Sequence, residues 1–179
     1  MARVFPTALD GLLGADVLSD FDIDLDLPHH EMTFYEKQTC PTAAPDWRGP
    51  YAALETGFSR GERLFFPVRL DGHSLTALID TGSQRTALST EAAGALGLTE
   101  SLLEQDRLVT THGIAAGPLP ARVHRFRTLQ VGTAVIANPD TLVIDLKPGD
   151  ADMILGIDFL RSRRLWSSYG ARRVFLSSP

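Results

Sequence analysis

The chain has 179 residues, 44% of them hydrophobic, and a formal net charge of −5, which is ordinary for a soluble globular protein. The acidic balance disfavours nucleic acid as the main partner, and no apolar stretch reaches the roughly 18 residues of a membrane span. Because Cys40 is the only cysteine, no internal disulfide can form. We read no Cys/His metal site in the sequence, and we expect no cofactor and a free thiol at Cys40.

The first 35 residues hold an apolar run with a glycine, Leu12-Leu13-Gly14, followed by an alternating segment, Phe21 to Leu27. Apolar side chains alternate there with Asp22, Asp24 and Asp26, which predicts a half-buried strand. No signal-peptide core precedes this segment, so the sequence leaves the compartment open.

Residues 36–60 contain Pro41, Pro45, Gly49, Pro50 and Gly57 among polar residues, and we interpret them as a linker. Trp47 and Tyr51 are expected to pin this linker against a lobe. Beyond it, Arg63 to Leu70 and His73 to Ile79 are predicted strands, joined at the strong hairpin turn Asp71-Gly72.

The second of these strands runs into the turn Asp80-Thr81-Gly82-Ser83. Each of these residue types is common in surface turns, so the tetrapeptide alone is weak evidence for function. Its position directly after an apolar strand is more specific, because a strand would hold the Asp80 carboxylate at a fixed point. Gly82 permits a tight turn and a close approach of its backbone N–H to that carboxylate.

Further elements follow in chain order. Thr90 to Leu98 is a predicted helix, with Thr90 as N-cap and Gly97 at its C-terminal end. A glycine-rich segment, residues 112–118, follows. Val123 to Val131 and Thr141 to Leu146 are predicted strands, with a turn at Asn138-Pro139-Asp140. A second apolar run, Ile154-Leu155-Gly156, ends 76 positions after Asp80 (156 minus 80).

The Asp-Thr-Gly-Ser turn and the later Ile-Leu-Gly run together resemble the active-site loops of retropepsin-like aspartic proteases. The resemblance implies an all-β fold with short helices, in which the lobe is a closed β-barrel. It implies that Asp80 is catalytic and supported by Thr81, Gly82 and Ser83. In the family, the residue at the Thr81 position bonds to the partner loop, and the residue at the Ser83 position bonds an outer carboxylate oxygen. The resemblance makes Ile154, Leu155 and Gly156 structural and gives Asp158 a capping or structural hydrogen bond. It also predicts a substrate-binding flap at His112, Gly113, Ile114, Ala115, Ala116 and Gly117.

An internal repeat relates the two ends of the chain. Residues 12–18 parallel residues 154–160 at an offset of 142 positions (156 minus 14), and Met32-Thr33-Phe34 falls on Val174-Phe175-Leu176. We interpret 1–35 as the C-terminal remnant of a preceding lobe, 36–60 as a linker and 61–179 as one protease lobe. A truncated N-terminus would leave room for an exported or periplasmic parent protein. The acidic segment at 10–31 is expected to lie beside the arginine-rich C-terminal strands.

Three functions remain open from the sequence. The first is an aspartic endopeptidase that cleaves peptide or protein substrates, whose second aspartate comes from a homodimer partner or a missing upstream lobe. The second is an inactive lobe that serves as a dimerisation or peptide-binding module. The third, a serine hydrolase using Ser83 and His112, is weakly supported, because no Gly-x-Ser-x-Gly elbow is present.

Overall fold

A computed structural model of the chain describes residues 13–37, 44–54, 57–58, 63–112, 118–145 and 151–179. Within these ranges the chain forms fifteen strands and four short helices. The fold class is therefore all-β with short helices, as the sequence predicts. Among the described residues, no helix combines the length and the apolar character that a membrane crossing requires.

The strands, in chain order, are β1 Phe21–Asp26, β2 Glu31–Glu36, β3 Tyr51–Leu54, β4 Gly57–Phe58, β5 Leu64–Leu70, β6 His73–Ile79, β7 Ala87–Ser89, β8 Arg107–His112, β9 Pro118–Arg125, β10 Thr128–Val131, β11 Ala134–Ala137, β12 Asp140–Ile144, β13 Met153–Leu155, β14 Arg164–Ser168 and β15 Arg173–Ser177. The helices are α1 Ala15–Leu18, α2 Thr90–Ala95, α3 Glu100–Leu103 and α4 Ile157–Leu160.

The strands form two sheets. The larger sheet has ten strands, in the order β11-β10-β5-β6-β13-β7-β12-β9-β8, with β4 paired to β5. The smaller sheet has five strands, in the order β2-β1-β14-β15-β3. In the larger sheet the pairings follow an open path from β11 to β8, and closure of the barrel stays a prediction.

The main core cluster takes apolar side chains from both sheets. Phe66, Val68 and Leu70 are buried on one face of β5, whereas Pro67 and Arg69 between them are exposed. The same cluster includes Leu155 and Leu160 from the segment around α4, so this segment is part of the core. This alternation is the period-2 pattern that the sequence predicts for a strand with one buried face.

The hairpin of β5 and β6 turns at Asp71 and Gly72, as predicted, and both residues have positive φ, at 50° and 85°. Glycine adopts this conformation without strain, whereas aspartate does so at some cost. The Asp71 carboxylate offsets that cost by accepting the backbone N–H groups of Arg127 and Thr128, each at 2.8 Å.

Three boundary predictions are wrong. The cap of α2 is Ser89, whose hydroxyl accepts the Ala92 N–H at 3.1 Å, so Thr90 lies inside the helix. The helix ends at Ala95 instead of Leu98. The single strand predicted at Val123 to Val131 is two strands, β9 and β10, interrupted where Asp71 holds Arg127.

Several strands were not predicted, among them β11 and β3. β11 follows β10 through a turn at Gly132, whose φ of 57° favours glycine. β3 falls in the segment interpreted as a linker, where it pairs with β15 through Leu54↔Val174 and Tyr51↔Ser177. Tyr51 also packs edge-on against Phe175, and Trp47 packs edge-on against Tyr51, so both aromatic residues hold this segment to the sheet as expected.

The internal repeat is present in the backbone. We call residues 13–36 the N-terminal copy and residues 155–178 the C-terminal copy. Each has a glycine before a four-residue helix, with φ and ψ of −92° and 176° at Gly14 and −93° and −173° at Gly156. A hairpin follows in each, with equivalent left-handed turn residues at His30 (φ 57°) and Arg172 (φ 55°).

The acidic strand lies beside a basic one, as expected. Strand β1 pairs antiparallel with β14, and Arg164 makes two hydrogen bonds to Asp24, at 2.7 and 2.6 Å. These bonds raise the pKa of the Arg164 guanidinium above its usual value. Asp22, Asp24 and Asp26 are buried, and residues of β14 are among their partners, Ser168 for Asp22 and Arg164 for Asp24 and Asp26.

Candidate active site

Asp80 stands at the end of β6, in the middle of the larger sheet. Strand β6 is flanked by β5 on one side and β13 on the other. β13 runs parallel to β6, with Leu155 opposite Ile79, and the Asp80 N–H donates to the Leu155 carbonyl at 3.1 Å. The structure thus brings together the two motifs that the sequence singled out, and both strands hold Asp80 in place.

The Asp80 carboxylate is half-buried and receives a hydrogen bond from its own turn. The Gly82 N–H donates to Asp80 Oδ1 at 2.8 Å, as the glycine in the motif suggests. A Cβ atom on Gly82 would lie 3.1 Å from that oxygen, so any side chain there would crowd the carboxylate. Glycine at this position therefore leaves the Asp80 carboxylate uncrowded.

Gly156 allows the chain around α4 to pack directly against the Asp80 turn. A Cβ atom on Gly156 would lie 2.7 to 2.8 Å from backbone atoms of Ser83 and Arg85, which cannot move aside as a side chain could. The Ile157 N–H donates to the Ser83 carbonyl at 2.8 Å in the same contact. Gly156 is accordingly structural, and it fixes the C-terminal end of the Asp80 turn.

A small network joins Thr86 to Asp158 behind this contact. Asp158 Oδ1 accepts both the backbone N–H and the hydroxyl of Thr86, each at 2.8 Å, and the Phe159 N–H at 2.9 Å. Thr86 Oγ1 also accepts the Gly156 N–H at 3.3 Å. Asp158 therefore makes structural hydrogen bonds of the kind that the resemblance implies.

Thr86 is the participant that sequence reasoning missed. Thr86 is buried and directly precedes the buried strand β7. A hydroxyl group buried in this way needs a hydrogen-bond partner. The signal was available in the sequence, because Thr86 precedes Ala87-Leu88 and Asp158 follows Gly156. Only the fold shows that these two polar residues meet across 72 positions.

Thr81 and Gly82 are exposed, so the open side of the turn faces outward from the lobe. The Ser83 hydroxyl donates to the Arg85 carbonyl at 2.8 Å, an acceptor within its own turn that differs from the carboxylate oxygen implied by the resemblance. Strands β8 and β9 form a ladder that reaches His112 and Pro118. Residues 113–117 of the predicted flap lie outside the described residues.

The residues described contain no group of three or more His, Cys, Asp or Glu side chains that could hold a metal ion. A cavity of about 330 Å³ lies at the smaller sheet, where Asp26, Trp47 and Arg164 are among its lining residues. Arg164 is already paired with Asp24 there, and the Asp80 turn does not line it. The Asp80 turn is therefore the candidate site.

A sequence profile described as aspartyl protease matches residues 66–159, the range that holds both loops. The chain belongs to the retropepsin-like aspartic protease family. Among curated relatives, a DNA damage-inducible protein 1 from Kluyveromyces lactis is 30% identical over 104 residues. The UBA domain-containing protein Mud1 from Schizosaccharomyces pombe is 32% identical over 104 residues.

Each of these two matches covers 58% of the chain, and the chain spans 24% and 30% of the respective relatives. The family fold is also seen in a solved structure, a retropepsin-like aspartic protease from Rickettsia conorii. It has a TM-score of 0.53 and 19% identity over 74% of this chain and 96% of that one. The match extends beyond residues 66–159, so the family fold accounts for most of the chain.

Proposed function

We propose that the chain supplies one half of an aspartic endopeptidase, with Asp80 as one of two paired catalytic carboxylates. The observation that supports this most is the placement of Asp80. Two central strands hold its backbone, Gly82 holds its carboxylate, and Thr81 and Gly82 are exposed beside it. A second lobe that presents an equivalent turn would set two carboxylates face to face.

Two carboxylates at such short distance cannot both ionise, so the pair shares one proton and titrates as a unit. The ionised group takes a proton from water, and the water oxygen attacks the carbonyl carbon of the peptide bond. The protonated group donates its proton to the carbonyl oxygen. When the resulting tetrahedral diol collapses, the C–N bond breaks and the carboxyl that took the proton from water gives it to the leaving nitrogen. The other carboxylate takes a proton from a diol hydroxyl as the new carboxyl group forms, which restores the shared proton of the pair.

The substrate in this proposal is an extended peptide that lies between the carboxylates and the hairpin of β8 and β9. Backbone hydrogen bonds of the kind that add a strand to a sheet would hold such a peptide. Binding between a hairpin and the carboxylates would also exclude water from the reaction. The proposed flap at residues 112–117 is the segment that would close over it.

The test is cleavage of a quenched peptide library between pH 3 and 8 by this chain and by a two-lobe chain that carries a second copy of its lobe, each before and after Asp80→Asn. We expect Asp80→Asn to lower the rate by at least about a thousandfold, because the pair loses its shared proton chemistry. Asp46→Asn is the matched control, since Asp46 is exposed in the segment before β3 and should leave the rate unchanged. A transition-state mimic of the pepstatin type should block the same activity.

The alternative, a peptide-binding or dimerisation module, has one observation in its favour, since the sequence holds a single Asp-Thr-Gly turn. This alternative predicts that the chain still binds peptides after Asp80→Asn. It also predicts that neither the chain nor the two-lobe chain cleaves them. Absence of cleavage in both proteins would contradict the endopeptidase proposal.

A further inference from the structure

The two motif copies are related by a local two-fold axis through the smaller sheet. Within the hairpins, Ile23 lies opposite Phe34 and Leu165 opposite Leu176, which are equivalent pairs at the offset of 142. Between the hairpins, β1 and β14 pair with Asp24 opposite Trp166, its own equivalent. A strand that pairs antiparallel with its own repeat about equivalent residues indicates two-fold symmetry.

The C-terminal copy is covered by two parts of its lobe. The turn at Ser83 to Arg85 packs against Gly156, and Thr86 bonds to Asp158, as described above. Strand β3 covers the outer edge of β15, from Val174 to Ser177. As a result Val174, Phe175 and Leu176 are all buried.

The N-terminal copy has the same backbone but lacks this cover in the described structure. Every residue of β2 is exposed, including Met32, Phe34 and Tyr35. Leu13 is 55% exposed whereas its equivalent Leu155 is 0% exposed, and Val17 is 44% exposed whereas Phe159 is 6% exposed. Apolar side chains exposed along an unpaired strand edge are typical of an interaction surface.

Asp16 and Gly14 extend this difference to the polar contacts. A Cβ atom on Gly14 would meet only the Asp16 side chain, at 2.6 Å from Oδ1, whereas Gly156 faces backbone. Asp16 is exposed, whereas its equivalent Asp158 accepts three hydrogen bonds. The glycine and the acid that contact the Asp80 turn in one copy thus have equivalents in the other, and the two glycines share the same backbone conformation.

We propose that the N-terminal copy is the docking surface for a second lobe of the same fold, whose own Asp-Thr-Gly turn packs on Gly14. This proposal rests on the proposed function, because it names the partner that brings the second aspartate. The partner lobe bonds Asp16 through the residue equivalent to Thr86. It also adds a strand equivalent to β3 along Met32 to Tyr35.

A second copy of this chain is a poor occupant of that surface. In a second copy, the turn that would fit Gly14 is already packed on its own Gly156, and its β3 is already paired with its own β15. The edge of β14 is likewise taken by β1. The partner is therefore a lobe whose turn and first strand are not yet engaged.

The test is an engineered two-lobe chain. In it, a second copy of residues 44–154 takes the place of residues 1–12, and its last residue is joined directly to Leu13. Because Leu13 is equivalent to Leu155, the added lobe meets Gly14 as residues 44–155 meet Gly156. We expect amide hydrogen exchange at Met32 to Tyr35 to slow by at least about tenfold relative to the unmodified chain. Gly14→Val should be neutral in the unmodified chain and should remove that protection in the two-lobe chain.

Unchanged exchange at Met32 to Tyr35, or a Gly14→Val effect that is equal in both proteins, would overturn the proposal. The unmodified chain gives an independent test through its solution mass. A monomer with fast exchange along β2 supports the proposal, whereas a dimer with slow exchange there would assign the surface to a second copy. Replacing both Asp80 residues of the two-lobe chain by Asn should keep the protection, so loss of catalysis does not imitate loss of docking.

Discussion

The two motif copies have equivalent backbones and opposite burial. Both contain a glycine, a four-residue helix and a hairpin with a left-handed residue in its turn. Even the turn bonds match, since the His29 N–H donates to Asp26 at 3.3 Å and the Ala171 N–H donates to Ser168 at 3.1 Å. Yet β15 is buried in its centre and β2 is exposed throughout.

This difference separates what a segment specifies for itself from what its neighbours supply. The glycine, the short helix and the turn are local features, and both copies form them. Burial is not local, because it depends on the Asp80 turn and on β3, which contact the C-terminal copy. Substitutions at equivalent positions should therefore cost much in one copy and little in the other.

The largest such difference is expected at the two glycines. Gly156→Val should prevent cooperative folding, since its side chain would enter backbone that cannot move aside, and overpacking of this kind costs more than about 3 kcal/mol. Gly14→Val should change the free energy of unfolding by less than about 1 kcal/mol, because the flexible Asp16 side chain can rotate away. Thermal and urea unfolding, followed by circular dichroism, measure both.

A folded Gly156→Val protein with unchanged stability would show that the Asp80 turn is not held by this contact. Equal loss in both variants would show instead that the glycines are needed for the local turn and not for the packing.

A smaller difference is expected at the hairpin strands. Leu176→Ala should lower the free energy of unfolding by about 2 to 4 kcal/mol, because Leu176 is buried in the main core. Its equivalent is Phe34, which is 44% exposed and packs edge-on against Phe21 at 5.3 Å. Phe34→Ala should cost less than about 1 kcal/mol, although phenylalanine is the larger side chain.

Urea unfolding of both variants measures this pair. A Phe34→Ala cost as large as that of Leu176→Ala would mean that β2 is covered in solution by something that the described residues do not contain.

Much of the fold could be predicted from the sequence, because its signals are local. The turn at Asp71-Gly72 and the strand His73–Ile79 were predicted at the observed positions. The interruption between β9 and β10 could not be predicted from the sequence. It depends on hydrogen bonds from backbone N–H groups 56 and 57 positions away to the Asp71 carboxylate. Nor could β3 be predicted, because its four residues form a strand by pairing with β15.

The site divides in the same way. The contact between Gly82 and Asp80 could be predicted because it is local to one turn, and the Gly82 N–H does bond the carboxylate. The catalytic role of Asp80 stays a prediction. Thr86 was missed because its role exists only where it meets Asp158 and Gly156. The flap prediction at residues 112–117 stays a prediction.

The smallest effect concerns the contact that joins the two copies. Asp24 is 3% exposed and accepts two bonds from Arg164, which is 37% exposed, and one from Trp47 at 3.0 Å. Asp24→Asn keeps the shape but removes the charge. Because Arg164 can still reach water, we expect a loss of about 1 to 2 kcal/mol in the free energy of unfolding. Asp20→Asn, at an exposed turn residue, is the matched control.

The same variant tests which strand belongs beside β14. If β1 occupies that edge as the native partner, weakening the Asp24–Arg164 pair should loosen the N-terminal copy, and amide exchange in β1 should quicken more than exchange in β15. If two chains instead compete for the edge, Asp24→Asn should raise the dimer fraction in sedimentation, because β14 of a second chain would replace β1. If the variant stays a monomer and amide exchange quickens only in β1 and β2, then β1 of the same chain is the native partner of β14. Strand β2 is then the sheet edge that remains open to a partner.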